Sequence, residues 1–190
     1  MLPLFLATVL TYGATMPLAA PLGPPPLLPP PTAGGLPLDG KDHLPVLLGP
    51  ASAEAILQHR EVFRSNLART ALKPEWKARW KGLDAPCVLV AAFGSWCGDS
   101  HEQLPDLLAL MKEPNPFVEV RLVGVYRDKK LDPAAWGKGL PAQALERVST
   151  FWVFAQKPGG GYQLVGSVVE TPRPGQRMAE ALLELLEKAR

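Results

Sequence analysis

Cysteine is scarce in this chain. Two in 190 residues, Cys87 and Cys97, are too few for a disulfide framework. They do not pair with each other either, because the residues after Cys87 read as a strand. Seven strand residues at about 3.3 Å each put the two thiols roughly 20 Å or more apart, whereas a disulfide needs Cα atoms within about 7 Å. Cationic charge is missing from the start of the chain: residues 1–40 hold no Lys or Arg, and Asp39 is their one acid. Elsewhere basic and acidic residues are scattered and nearly balanced, for a net charge of +2. This excludes the basic, aromatic-interleaved surface of a nucleic-acid binder. With three histidines, no second Cys or His is placed to complete a metal site, and neither a metal nor a cofactor is expected. The three glycines of Gly159, Gly160 and Gly161 lack the strand–loop–helix setting of a phosphate cradle and read as a hairpin turn. No Ser-His-Asp arrangement can be assembled.

Proline is what the chain has in excess, 22 in all and unevenly placed. Residues 1–20 are mostly apolar, with a core over residues 4–10 that has the length of a signal-peptide h-region and is too short to span a bilayer. Residues 21–31 are Pro-rich and suit a stiff polyproline II tether. The expected organisation is therefore a signal peptide or apolar leader over 1–20, a Pro-rich disordered linker over 21–50 and a folded domain over 51–190. Export is the preferred reading of the leader. An uncleaved anchor, which would bring the membrane in as a partner, and a cytoplasmic protein are the alternatives.

Within the domain, Ser52 caps an amphipathic helix carrying Ile56, Phe63 and Leu67. Pro74 starts a second helix to about Lys81, ended by Gly82. Residues 87–93 are apolar on both faces, as a central strand requires. A helix with Leu104, Leu107, Leu108 and Met111 on its inner stripe follows, then a strand over 117–125. A short helix is placed around Pro133, another over 142–147 and a strand over 149–155. A hairpin leads to residues 162–169, and a final helix covers about 175–188. The order βαβ then ββα gives an α/β class, with a mixed β-sheet flanked by helices and an N-terminal helical extension over 52–82.

The chemistry concentrates at Phe93-Gly94-Ser95-Trp96-Cys97-Gly98-Asp99-Ser100-His101. Cys97 sits where a buried strand turns into a helix, and there the unpaired N–H groups and the helix dipole favour an anion. That setting turns a thiol into a thiolate near neutral pH. Cys87 reads as a buried structural thiol, with an edge thiol as the alternative. Trp96 offers an apolar platform to a docking chain, and Gly98 leaves room for a substrate backbone. Ser100 is placed to donate a hydrogen bond to the sulfur, but it cannot attack a mixed disulfide. Asp99 suits a helix start while opposing the thiolate by like charge, and is expected to face solvent. His101, one turn on, modulates the thiolate or lies on the helix surface.

At these residues the chain resembles the thioredoxin superfamily, in a bacterial subgroup with Trp-Cys-Gly-Asp-Ser in place of Trp-Cys-Gly-Pro-Cys. Pro105, five residues after Ser100, matches the proline of the active-site helix, and Val148-Ser149-Thr150 resembles the Val-Pro-Thr entry to the next strand. The likeness covers residues 86–190, with a looser lead-in from 52. It implies a thioredoxin-like fold, with Cys97 and Ser100 as the catalytic pair and Trp96, Gly98, Val148 and Ser149 on the substrate side. Three positions depart from the pattern. Ser100 replaces the resolving cysteine, Ser149 replaces the cis-proline, and Ala91 stands where the family buries an aspartate.

The resemblance and its departures imply a monothiol thiol–disulfide oxidoreductase. Its partners would be client proteins or small thiols held as mixed disulfides, released by an external reducing thiol. A redox-inactive peptide-binding module is the alternative, and a metallochaperone using Cys97 and His101 a lesser one. Without proline a cis peptide bond costs about 2.5–4 kcal/mol, so the Val148–Ser149 bond is expected to be trans.

Overall fold

The computed structural model describes residues 35–137 and 139–190. The expected leader and the Pro-rich stretch to residue 31 lie outside the described residues. The element order is β1 (Gly49–Ala51), α1 (Ala53–His59), α2 (Glu61–Arg69), α3 (Pro74–Lys81), β2 (Cys87–Phe93), α4 (Gly98–Leu110), β3 (Val118–Gly124), α5 (Pro133–Trp136), β4 (Thr150–Gln156), β5 (Tyr162–Val169) and α6 (Met178–Glu187). The five strands form one sheet in the order β1-β3-β2-β4-β5. Strands β2 and β3 run parallel, with Cys87 opposite Val118 and Phe93 opposite Gly124. The other pairings are antiparallel. The class is α/β, with a mixed sheet flanked by helices.

Strand β2 is buried along its whole length, which is why its sequence does not alternate. On one face Leu89, Ala91, Phe93, Phe151 and Val153 meet the inner sides of α2, α4 and α6. On the other, Val88, Val90, Trp152 and Phe154 are covered by Trp136, Ala135 and Leu140. Trp136 stands edge-on to both Trp152 and Phe154, at centroid distances of 5.0 and 5.6 Å, a favoured aromatic geometry. Cys87 opens β2 inside this core, so the edge-thiol alternative does not hold.

Helix α4 carries Pro105 inside it and buries Leu104, Leu107 and Leu108. It also buries Asp106, which takes the Arg177 guanidinium and accepts the Ala179 N–H at 3.1 Å. Because α6 has no side-chain cap of its own, Asp106 supplies the missing acceptor for its first turn.

Several expectations are corrected. The single helix from Ser52 is two, broken at Arg60, whose backbone is extended (φ −137°, ψ 132°). Ser52 does cap α1, its Oγ accepting the Ala55 N–H at 3.0 Å. Residues 142–147 are not helical. Six residues are marginal for a helix nucleus, and their alternating half-buried and exposed pattern lets Leu145 pack on the Trp136 cluster. The last helix begins at Met178, because Gly175 is left-handed at φ +79°.

The largest correction concerns the linker expected to reach residue 50. Residues 35–51 are packed: Val46 and Leu47 are buried, Leu38 bridges to Pro45, and β1 pairs with β3. Gly124 makes this possible, since a Cβ there would lie 2.4 Å from the Leu47 carbonyl oxygen. Gly124→Ala should therefore push the segment off β3. Amide exchange at Leu47 is expected to accelerate, and unchanged protection there would contradict the assignment.

Candidate functional site

The site is built at the carboxyl end of β2. Residues 94–97 carry the chain from Phe93 into α4, and Cys97 is the N-cap residue. The turn closes with the Cys97 N–H donating to the Gly94 carbonyl at 2.9 Å. Ser100 secures it from inside the helix: it is fully buried, and its Oγ accepts the Gly94 N–H at 3.1 Å. The hydrogen bond expected from Ser100 to Cys97 is not formed among the described residues; Ser100 instead accepts one from the turn.

His101 points the same way. Its Nε2 donates to the Ser95 carbonyl at 2.9 Å, and its ring stands edge-on to Phe63 at 5.0 Å. The imidazole is therefore a half-buried brace for the turn, with its bond going to Ser95 and not to the sulfur. Asp99, in the first turn of α4, is half-buried and forms no side-chain hydrogen bond or ion pair among the described residues. Gly98 is exposed, with open space where a Cβ would be.

Cys97 is half-exposed, and its thiol donates to the Val148 carbonyl oxygen at 3.2 Å. This contact joins α4 to the entry of β4. The Val148–Ser149 peptide bond is cis, contrary to the expected trans form. Local residue type sets only the intrinsic cost of the bond. Contacts from elsewhere hold both sides, where the Ser149 carbonyl accepts the Glu170 N–H at 2.6 Å and Thr150 Oγ1 donates to the Arg147 carbonyl at 2.7 Å. Ala91 lies in the apolar core opposite Phe151, so no carboxylate occupies that position.

Trp96 is less free than a docking platform. Its Nε1 donates to the Val125 carbonyl at 3.0 Å, and a Cβ on residue 94 would come within 2.7 Å of the indole. One face carries the Arg127 guanidinium, 4.4 Å from the ring centroid. Arg127 in turn grips Asp39 with two nitrogens, Nη2 at 2.8 Å from Oδ2 and Nε on Oδ1. Asp39 is 1% exposed. The Arg127 guanidinium beside it holds its carboxyl well below the usual carboxylate range.

These contacts bring residues to the site that sequence reasoning missed. Asp39, Arg127, Ser95 and Leu47 form a brace from the N-terminal segment, completed by the Leu47 N–H donating to Ser95 Oγ at 3.1 Å. Tyr126 adds a hydrogen bond from its hydroxyl to the Leu38 carbonyl at 3.0 Å. The available signal was the isolation of Asp39 as the one charge in the first forty residues.

Among the described residues no group of three or more His, Cys, Asp or Glu is arranged to hold a metal ion. No helix among them is long and apolar enough to cross a membrane.

No family model matches the chain, and no curated protein does. Among solved structures it is similar to a Pseudomonas aeruginosa protein of unknown function. That pair is 16% identical with a TM-score of 0.49, over 74% of this chain and 91% of the other. It is also similar to an HIV epitope scaffold, again 16% identical with a TM-score of 0.48, over 74% and 92%. At these values the likeness carries no argument about function.

Two outcomes follow from the geometry. Burial pushes the Cys87 thiol up to about 12, so iodoacetamide should label Cys97 in the folded chain and reach Cys87 only after unfolding. Labelling of both at similar rates would contradict the burial of Cys87. The second outcome concerns acid. Because the folded Asp39 carboxyl is held down, the unfolded chain takes up that proton first. The ion pair's contribution is complete above the ordinary aspartate range, near pH 4, and is lost as pH falls through the folded value. Urea unfolding should lose stability below about pH 4 in wild type and less steeply in Asp39→Asn. Equal slopes would show that the pair does not stabilise the fold.

Proposed function

We propose that this chain is a thioredoxin-like thiol protein in which Cys97 works alone. The observation that carries the reading is the placement of one half-exposed thiol at the N-cap of α4, beside the Val148 carbonyl. The other cysteine is buried at the opposite end of β2. Helix N-termini favour thiolates.

The cycle balances without a cofactor. The Cys97 thiolate attacks one sulfur of a disulfide R–S–S–R′, forming Cys97–S–S–R and expelling R′S⁻. Ser100 cannot close the cycle, because it is a hydroxyl held on Gly94. An external thiolate R″S⁻ then attacks the R sulfur, giving R–S–S–R″ and returning the Cys97 thiolate. Client proteins and small thiols both meet these requirements. The apolar leader over residues 1–20 favours work outside the cytoplasm, with a separate reductant as the thiol donor.

One observation favours a second reading. A thiol donating to a carbonyl is stabilised in its neutral form, and this suits a peptide-binding module in which Cys97 never reacts. An insulin reduction assay separates the two. With dithiothreitol held low, wild type should accumulate a single mixed disulfide at Cys97 and turn over slowly. Ser100→Cys should create a Cys-x-x-Cys pair and raise turnover by about tenfold or more, at a cost in stability from the lost Gly94 contact of about 1 kcal/mol. No adduct at Cys97 in wild type would leave the binding module as the surviving reading.

A further inference from the structure

The contact between Cys97 and the Val148 carbonyl, at 3.2 Å, serves only the neutral thiol. A thiolate is an acceptor and is repelled by a carbonyl oxygen. Helix α4 does not take its place directly, since the Cys97 side chain makes no capping hydrogen bond to the α4 N–H groups. Ser100, three residues on, accepts the Gly94 N–H and, among the described residues, forms no hydrogen bond to the sulfur. His101 gives its Nε2 proton to Ser95, and the Trp96 Nε1 proton goes to Val125.

A second hydroxyl adjoins the Val148 contact, and among the described residues it has no partner of either kind. Ser149 follows Val148 directly and is fully buried, and its Oγ has no hydrogen-bond partner among the described residues. A buried hydroxyl without a partner is costly and calls for an explanation. Its neighbours do not supply one: Thr150 Oγ1 is bonded to Arg147, and the Glu170 N–H goes to the Ser149 carbonyl, not its side chain.

We propose that Ser149 is the hydrogen-bond donor to the Cys97 thiolate. Val148 and Ser149 then form a two-position cradle. The carbonyl of the first holds the thiol, and the hydroxyl of the second holds the thiolate once the proton has left to solvent. The same hydrogen bond serves the release step. When an external thiolate attacks the partner sulfur of Cys97–S–S–R, the S–S bond breaks and its electron pair returns to Cys97 Sγ. A donor at that atom makes it a better leaving group. This assigns to Ser149 the role that the sequence pattern gives to Ser100. It rests on the reading of Cys97 as the reacting thiol.

The test measures the iodoacetamide rate at Cys97 in the full chain from pH 5 to 9, for wild type, Ser149→Ala and Ser149→Thr. The charged groups around the site are common to all three: Asp99, His101, Arg127 with Asp39, and Arg147 with Glu170. The midpoint of the rate profile for Ser149→Ala should lie about one pH unit above wild type, with the rate at pH 6 lower by about tenfold. Ser149→Thr, which keeps the hydroxyl, should follow wild type. Coincident profiles for wild type and Ser149→Ala, with Cys97 still reactive, would overturn the proposal and leave the monothiol reading intact. A wild-type Cys97 no more reactive than free cysteine would overturn both. If Ser149→Ala does not fold, crystals of wild type at pH 5 and pH 8 decide the matter. Ser149 Oγ within hydrogen-bond reach of Cys97 Sγ at the higher pH supports the role. Oγ bonded to water or a main-chain carbonyl at both values contradicts it.

Discussion

Four residues connect the fully buried strand β2 to helix α4, and the shape of the site depends on how that turn is pinned. From the helix side, Ser100 holds the Gly94 N–H and His101 holds the Ser95 carbonyl. From the opposite side, the Leu47 N–H reaches Ser95 Oγ. The backbone polar groups of a buried turn need such partners, because an unpaired one costs about 1–3 kcal/mol. With both sides fixed, Cys97 has little choice of position. It becomes the N-cap of α4 and faces the Val148 carbonyl.

The N-terminal segment is therefore part of the site's support, not a tether that ends at the domain. Its ion pair is buried on the Asp39 side and half-covered on the Arg127 side. The guanidinium lies over Trp96, the residue before Cys97. Two contacts thus run from residues 39–47 to residues 95–96, one through Arg127 and one direct. Gly124 admits the segment by letting the Leu47 carbonyl approach β3 where any side chain would block it.

Much of the architecture was legible in the sequence, because its strongest signals are local. The unbroken apolar run over 87–93 needs two covered faces, and both are present. Pro74 at a helix start, Gly82 at its end and Ser52 as a cap act through their own backbones. What escaped depends on partners far along the chain. Strand β1 is Gly-Pro-Ala, with no strand propensity, and exists because β3 offers an edge. Asp39 looked like linker until Arg127, 88 residues away, was beside it. His101 and Ser100 carried the right residue types for thiol chemistry at the right spacing. Their actual partners, Ser95 and Gly94, make them braces. The Val148–Ser149 bond, cis where trans was expected, belongs with these, since local residue type alone does not set it.

The central claim is that Cys97 is a reactive thiol held at the head of α4. The most direct measurement is its rate of mixed-disulfide formation with a small aromatic disulfide at pH 6, followed by the release of one thiolate per chain. A peptide carrying a single unstructured cysteine serves as the reference. The account predicts one adduct, at Cys97, formed faster than on the peptide. A rate equal to or below the peptide's, or an adduct on Cys87 instead, would contradict it.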